Sequence, residues 1–456
     1  MKINYIIFLI YKFLISYISA QCFYHPNNIL ASLENIECTW NSKVENEKIS
    51  TRELSEEIFK IQLLNCDADN ITCDNVLKEF NRAAKLIASI FIFNTQININ
   101  VSYYDLCTVY PENICKILGG AAYPTQFYLL QDDDGMKRLY PQSLVKQFQF
   151  PNTPKFNEFD ISAEFNSKGG FWFKEDLNNI KPDEGDIFWT ICHELIHGLG
   201  FYNGWMGYKN NPIAVIPLPI YVNPDGIVLK NNLFSFGSSF IEFMMDKYTI
   251  LLSNGTQISQ FTQKLNTFFD EYKSNAFSDE FVNSSQFKFA QDLLVLATTP
   301  KSLGLLPRNS KNYSIDSFIL ETSIPFEQGS SLIHVDYKTY INTNDFLMTY
   351  NIIDGISTDN MILDNGNYSG GPIGPKLKQM METFGYTTAD NPNPYRPQPF
   401  KSPPSNVTSK PNINSGFRTE MIRNLNVLII ILWIPAGLRH YDIMNDGIQK
   451  IWKLAK

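Results

Sequence analysis

The sequence predicts an α+β fold, and three observations carry that prediction. Residues 75–89, 186–199, 258–272 and 375–384 place apolar side chains at helical spacing. Residues 91–101 alternate as strands do, 159–165 alternate weakly, 126–130 is a further candidate strand, and all precede the second of those helices. After Phe201, Pro212, Pro217 and Pro219 break the pattern, and helices and loops follow. The expected architecture sets a histidine-bearing helix above a largely helical and loop-built C-terminal half.

Taken in order, residues 1–20 read as a signal peptide. Lys2 starts it, residues 3–18 are mostly apolar, and Ser19-Ala20 is a small-residue end. An uncleaved signal anchor is the rival, since Lys12 interrupts the run. Residues 21–75 bear cysteines and read as a propeptide or a small stapled subdomain. Six of the seven cysteines lie between Cys22 and Cys115. Six allow 15 pairings, and sequence neighbours suggest Cys22–Cys38, Cys66–Cys73 and Cys107–Cys115, as suits an oxidising compartment. Cys192 reads as a buried thiol. Seven N-x-S/T sequons, at Asn70, Asn100, Asn254, Asn283, Asn312, Asn367 and Asn406, add to the secretory reading. Asp132-Asp133-Asp134-Gly135 reads as a solvated turn, because a fuller calcium-loop spacing is missing. Residues 159–165 are expected to be an edge strand, onto which a peptide could add.

The helix at 186–199 contains His193-Glu194-Leu195-Ile196-His197, with Asp186 as a plausible N-cap and Gly198 and Gly200 as stop signals. Positions i and i+4 share a helix face, so both imidazoles can reach one Zn²⁺ while Glu194 holds a water beside it. With only five histidines in the chain, chance predicts on the order of 0.003 such motifs. The plain alternative is a buried helix with two incidental histidines, which leaves imidazoles without partners. A catalytic zinc site takes three protein ligands, and the compact pattern would place the third at 203, which is Asn203. His25 lies at the mature N-terminus and His440 after an apolar tail run. His334 precedes Asp345-Phe346-Leu347-Met348.

These motifs, with Gly200-Phe201 and the stretch Phe159-Asp160-Ile161-Ser162-Ala163-Glu164-Phe165-Asn166, resemble a leishmanolysin-like metzincin zinc metalloprotease in order and kind. In that family an insertion displaces the third histidine to a point shortly before D-x-L-M. The resemblance spans roughly residues 80–386 and implies a zincin with a mixed sheet. It implies His193, His197 and His334 as zinc ligands, Glu194 as general base and Met348 as apolar support beneath the histidines. Tyr350 is a candidate oxyanion donor by the same resemblance, against the plainer reading of a core tyrosine. Gly200 lets the chain leave the helix without a Cβ clash. Ile333, where relatives often carry serine, departs from the pattern, as does the long gap between His197 and His334.

Residues 76–205 are thus expected to form an N-terminal catalytic subdomain and 206–388 a C-terminal one. A helix is expected at 240–252, with Glu242 and Asp246 at i and i+4. Glu242 is the alternative third ligand, as in zincins that use a downstream glutamate. The folded unit is expected to close near Tyr386. Residues 389–424, rich in Pro, Asn and Ser, read as a disordered linker. Residues 425–456 form a tail whose 14-residue apolar run, 425–438, is short of the ~20 residues a span needs. The tail leaves room for contact with a membrane surface, and the polar residues 439–456 after the run disfavour a lipid-anchor signal.

A net charge of −8 and a pI near 5.3 exclude a general nucleic-acid binder. The expectation is a secreted zinc endopeptidase acting on peptide or protein substrates. Its alternatives are an inactive metal-binding or adhesion protein on the same fold, and a zinc hydrolase of a non-peptide bond.

Overall fold

Strands β1 (Ser19–Tyr24) and β2 (Glu34–Thr39) pair antiparallel in the computed structural model, which describes residues 19–26, 33–40, 58–176, 178–208, 212–223, 226–228, 239–271 and 278–399. There follow β3 (Phe59–Cys66), a long helix (Asn70–Ile90), β4 (Ile97–Tyr104), β5 (Gly120–Pro124), β6 (Gln126–Gln131), β7 (Lys137–Pro141) and β8 (Ile161–Asn166). The helix that bears His193 and His197 is Ile187–Gly198. The signal-peptide expectation, save its last two residues, and the tail expectation fall outside the described residues.

The described residues build an α+β fold with mixed sheets. One sheet runs β3-β4-β8-β5, parallel except for the last pair. The larger sheet joins β2, β1, β6 and β7 to five later strands: Ser239–Phe243, which is parallel to β7, Val215–Asn223, Trp205–Gly207, Gly226–Val228 and Gln398–Pro399. Only Thr125 separates β5 from β6, so one short link passes the chain between the two sheets. The long helix packs on β3 and on the helix Ile187–Gly198. It begins five residues earlier than its apolar pattern indicates, because Asp69 accepts from the Ile71 and Thr72 amides and caps it.

Three expectations need correction. The strand read at 159–165 is β8, and it lies inside the sheet between β4 and β5, buried along its whole length. Strands buried on both faces do not alternate, so polarity misreads their place. The edge is β5, whose Gly-Ala-Ala-Tyr-Pro run carries no strand signal.

Residues 240–252 are no helix. They form the strand Ser239–Phe243, a 3₁₀ turn Met244–Tyr248 and the strand Thr249–Leu251. Phe243, Met244 and Tyr248 mimic helical spacing, but an ion pair sets the register: Glu242 lies opposite Arg138 of β7, and its Oε2 accepts from Arg138 Nε at 2.7 Å. Arg138 is fully buried and also binds Asp132 and Asp134 at 2.9 and 2.8 Å. Glu242 further accepts from Ser259 and Thr262. The Asp132–Gly135 segment is a turn, as read, with Gly135 at φ +80°, but Asp132 is buried in this cluster and also pairs with Lys247.

The stretch 389–399, read as the start of a linker, is not one, and the rest of that expectation lies outside the described residues. Residues 389–399 pack down: Tyr395 donates to Asp132 and accepts from the Asp133 amide, both at 2.9 Å. Its ring lies 4.2 Å from Lys247 Nζ and 3.9 Å from Arg308 Cζ. Arg396 binds the Phe148 carbonyl and Gln398–Pro399 pairs with β6. A few polar and aromatic contacts hold a stretch that composition alone assigns to a linker. Ending the chain after Asn391 is therefore expected to lower stability by about 3 kcal/mol, read as a lower denaturant midpoint. An unchanged midpoint would restore the earlier boundary.

Cys66–Cys73 and Cys107–Cys115 form disulfides, Cys22 is also disulfide-bonded, and Cys192 is a buried free thiol. Such bonds suit an extracellular or secreted protein. Among the described residues no helix is long and apolar enough to cross a membrane. Asn100 is buried in β4, a place where no glycan fits on the folded chain.

Candidate metal centre

The helix Ile187–Gly198 is fixed at both ends. At its start Asp186 accepts from the Phe188 amide at 2.9 Å and, with its other oxygen, from Thr358 at 2.7 Å. At its end Gly200 adopts φ +109°, and a Cβ there would lie 2.4 Å from Met244 Cε. That turn brings the Phe201 carbonyl back to His197 Nδ1 at 2.7 Å. One residue type thus decides both where the helix stops and how a ligand is aimed.

His334 comes from the other end of the structure. Leu332, two residues earlier, sits at φ +66°, a left-handed conformation rare for a branched side chain. The Leu332 amide binds the Glu321 carbonyl, and the Glu321 amide binds that of His334. Met348 ends a 3₁₀ turn, Phe346–Met348, and is fully buried. Its carbonyl accepts from the Val335 amide at 2.9 Å, so the segment bearing His334 is tied to the methionine turn. The preceding carbonyl, of Leu347, accepts from His193 Nδ1 at 2.7 Å.

The three histidines meet through Nε2. The separations are 3.0 Å for His193–His334, 3.0 Å for His193–His197 and 3.2 Å for His197–His334. Each Nδ1 faces a carbonyl oxygen, of Leu347, Phe201 and Ser330 respectively, so each Nδ1 carries the hydrogen and donates. Each Nε2 then presents a lone pair, and three lone pairs facing one another repel unless a cation lies among them. The group could hold a metal ion, and among the described residues no other His, Cys, Asp or Glu cluster does so. Burial keeps all three rings neutral. It drives His193 well below the usual histidine range, helped by His197 and His334, and does the same to His334, helped by His197. It lowers His197 to about 4. The carbonyl bonds oppose the shift in each case. Neutral imidazole is the form that ligates.

Glu194 is 2% exposed beside them. Its Oε2 accepts from the Ala122 amide of β5 at 2.8 Å. Burial pushes its carboxyl well above the usual range, and the Ala122 bond pulls partly back.

The remaining expected residues separate. Glu242 belongs to the Arg138 cluster and not to the histidine group. Asp246 accepts from the Gly204 and Phe243 amides. Asn203, where a compact motif would carry its third histidine, accepts from the Trp205 amide. Tyr350 is half-buried with its ring 5.5 Å from that of Tyr337. His25 is buried against Tyr123. Glu242→Ala is expected to lower stability by about 3 kcal/mol, because it breaks a buried ion pair, and to leave metal content unchanged. Thermal unfolding and elemental analysis check both. Metal loss with intact stability would place Glu242 in the coordination sphere.

The sequence reading missed the groups that orient the site: Ala122 N–H and the carbonyls of Leu347, Phe201 and Ser330. All are main-chain atoms, which leave no trace in residue type. It also passed over Trp189, whose place four residues before His193 was visible.

A family model described as SPBPB7E8-like matches residues 22–418. Among curated proteins, the chain is similar to the uncharacterized protein PB7E8.01 of Schizosaccharomyces pombe, 27% identical over 341 residues. That alignment covers 69% of this chain and 58% of the relative, so the chain spans less than two thirds of the relative's length. No solved structure matches.

Proposed function

We propose that this chain, which belongs to the SPBPB7E8-like family, is a secreted zinc-dependent endopeptidase of the leishmanolysin-like metzincin kind. The observation that carries the reading is the meeting of three Nε2 lone pairs beside Glu194. Zinc bonds of about 2.0–2.1 Å at tetrahedral angles put ligand nitrogens roughly 3.3 Å apart. The separations of 3.0–3.2 Å lie near that value. An all-nitrogen, neutral, three-histidine set suits zinc and leaves a fourth position open.

His193, His197 and His334 would hold the ion. When bound, zinc supplies polarisation of a peptide carbonyl and acidification of a water. Glu194 does the proton work. With Oε2 held by Ala122, Oε1 would take a proton from the attacking water and return it to the leaving amine. The strand β5, which carries Ala122, is the last in its sheet and lies against the helix that bears Glu194.

The test is direct. Purified protein loaded with zinc is incubated with folded and unfolded proteins, and fragments are identified by mass spectrometry. Internal cleavage that stops on chelation and returns with zinc is expected. Stoichiometric zinc with neither peptide nor ester cleavage would make the chain a metal-binding protein instead.

A further inference from the structure

Ala122 holds Glu194 through its amide, and nothing in that bond depends on the alanine side chain. The path of β5 aims the amide, and one side chain of β5 is held from two sides. Tyr123 follows Ala122 in the strand, so its ring points to the opposite face of the sheet. Ala122 packs in the core that contains Ile191 and Leu195 of the helix, whereas Tyr123 packs in a second core with Phe23, Leu106 and Tyr110. Any influence of Tyr123 on Glu194 therefore passes through the main chain of β5.

The first hold is Glu164, which lies on β8 opposite Ala121 and is 5% exposed. The Tyr123 hydroxyl donates to its Oε1 at 3.1 Å. Its Oε2 accepts from the hydroxyls of Tyr104 and Tyr110. The carboxylate is thus fixed from β4 and from the loop that the Cys107–Cys115 disulfide closes. The second hold is His25, whose ring lies 4.2 Å from that of Tyr123 at a tilt of 34°. The His25 amide donates to the Thr125 carbonyl at 2.8 Å, two residues beyond Tyr123. Burial lowers His25 to about 4, so the ring stays neutral. Its Nε2 is buried without a partner. A nitrogen left so costs stability, and the ring acts here by packing on Tyr123 and not through that atom.

We propose that Tyr123, clamped between His25 and Glu164, is a positioning residue that keeps the Ala122 amide aimed at Glu194. The inference rests on the peptidase reading above. A base whose orienting donor wanders spends less time in the geometry that transfers a proton. His25 directly follows β1, so the N-terminal segment, read from sequence as a propeptide or a small subdomain, serves the site from within the fold. Removing that segment would take half of the clamp with it.

The experiment is steady-state hydrolysis, by the zinc-loaded full chain, of a peptide that wild type cleaves. Chelator competition gives metal affinity and thermal melting gives stability for the same samples. His25→Ala keeps the main-chain bond to Thr125 and removes the ring. Its kcat should fall about tenfold, with KM and metal affinity near wild type, as when an interaction made in the transition state is lost. His25→Phe restores a ring without the unpaired nitrogen and should return kcat to near the wild-type value. Tyr123→Phe keeps the ring, deletes the bond to Glu164 and should also lower kcat. A lower melting temperature with wild-type kcat in His25→Ala would mean a structural role only and would overturn the proposal. So would a His25→Phe variant as slow as His25→Ala, since the ring face would then not be what acts. Should His25→Ala not fold, Tyr123→Phe decides alone, and wild-type kcat there overturns the proposal. If wild type hydrolyses no peptide, the peptidase reading fails and this inference with it. If it does and the variants keep its kcat, only the inference fails.

Discussion

Glu194→Gln is expected to bind metal at wild-type stoichiometry and to lose peptide hydrolysis by about 10²-fold or more. The substitution preserves volume in a site where Glu194 is 2% exposed, and its amide oxygen can still accept from the Ala122 amide at the position of Oε2. What changes is the second atom. An NH₂ group replaces the oxygen that would take the proton, and it has no lone pair to offer. The histidines do not contact this carboxylate through any hydrogen bond that orients them, since their Nδ1 atoms are fixed by Leu347, Phe201 and Ser330. Metal affinity and activity should therefore separate. Steady-state kinetics on a peptide that wild type cleaves, with elemental analysis of the same sample, reads both. Turnover equal to wild type would remove Glu194 from the role of base.

His334→Ala should have the largest effect on the metal itself. Even a residue that merely orients a ligand typically changes affinity 10- to 100-fold, so loss of a ligand should cost at least about 10²-fold. The fold should survive, because the main-chain bonds of this segment do not involve the imidazole: Glu321 N binds the His334 carbonyl and Val335 N binds that of Met348. Ser330→Ala is the matched control. It removes a side chain but leaves the carbonyl that accepts from His334 Nδ1, and it should keep the metal. Competition with a chromophoric chelator gives the affinities. Equal affinity of His334→Ala and wild type would mean that another group completes the site.

Much of the centre was legible from sequence because two of its ligands share one helix, where spacing alone puts them on one face. The third is more than a hundred residues away, and only the order of short motifs pointed to it. The structure brings His334 to within 3.2 Å of both partners. Strand order was not legible. β8 looked like an edge because Ser162, Glu164 and Asn166 are polar, yet Glu164 receives three tyrosine hydroxyls inside the fold. Polar residues satisfied by partners distant in sequence cannot be told from solvated ones by their identity. The same reason misplaced Glu242: a carboxylate four residues from another suggests a helix face until Arg138, over a hundred residues earlier, is seen beside it.

The main-chain carbonyls that receive the three Nδ1 hydrogens have a genetic consequence. Where a metal site depends on aspartate or glutamate to aim its histidines, a single codon change can disorder it. Here no missense change at 201, 330 or 347 deletes an oxygen, since every amino acid carries one. Side chains at those positions answer to packing instead, since Phe201 and Leu347 are fully buried. The damaging changes are instead those that move the path: a β-carbon at Gly200, or an insertion within 329–334. Two proteins of this architecture could thus differ at most positions around the metal and still present it with the same three nitrogens.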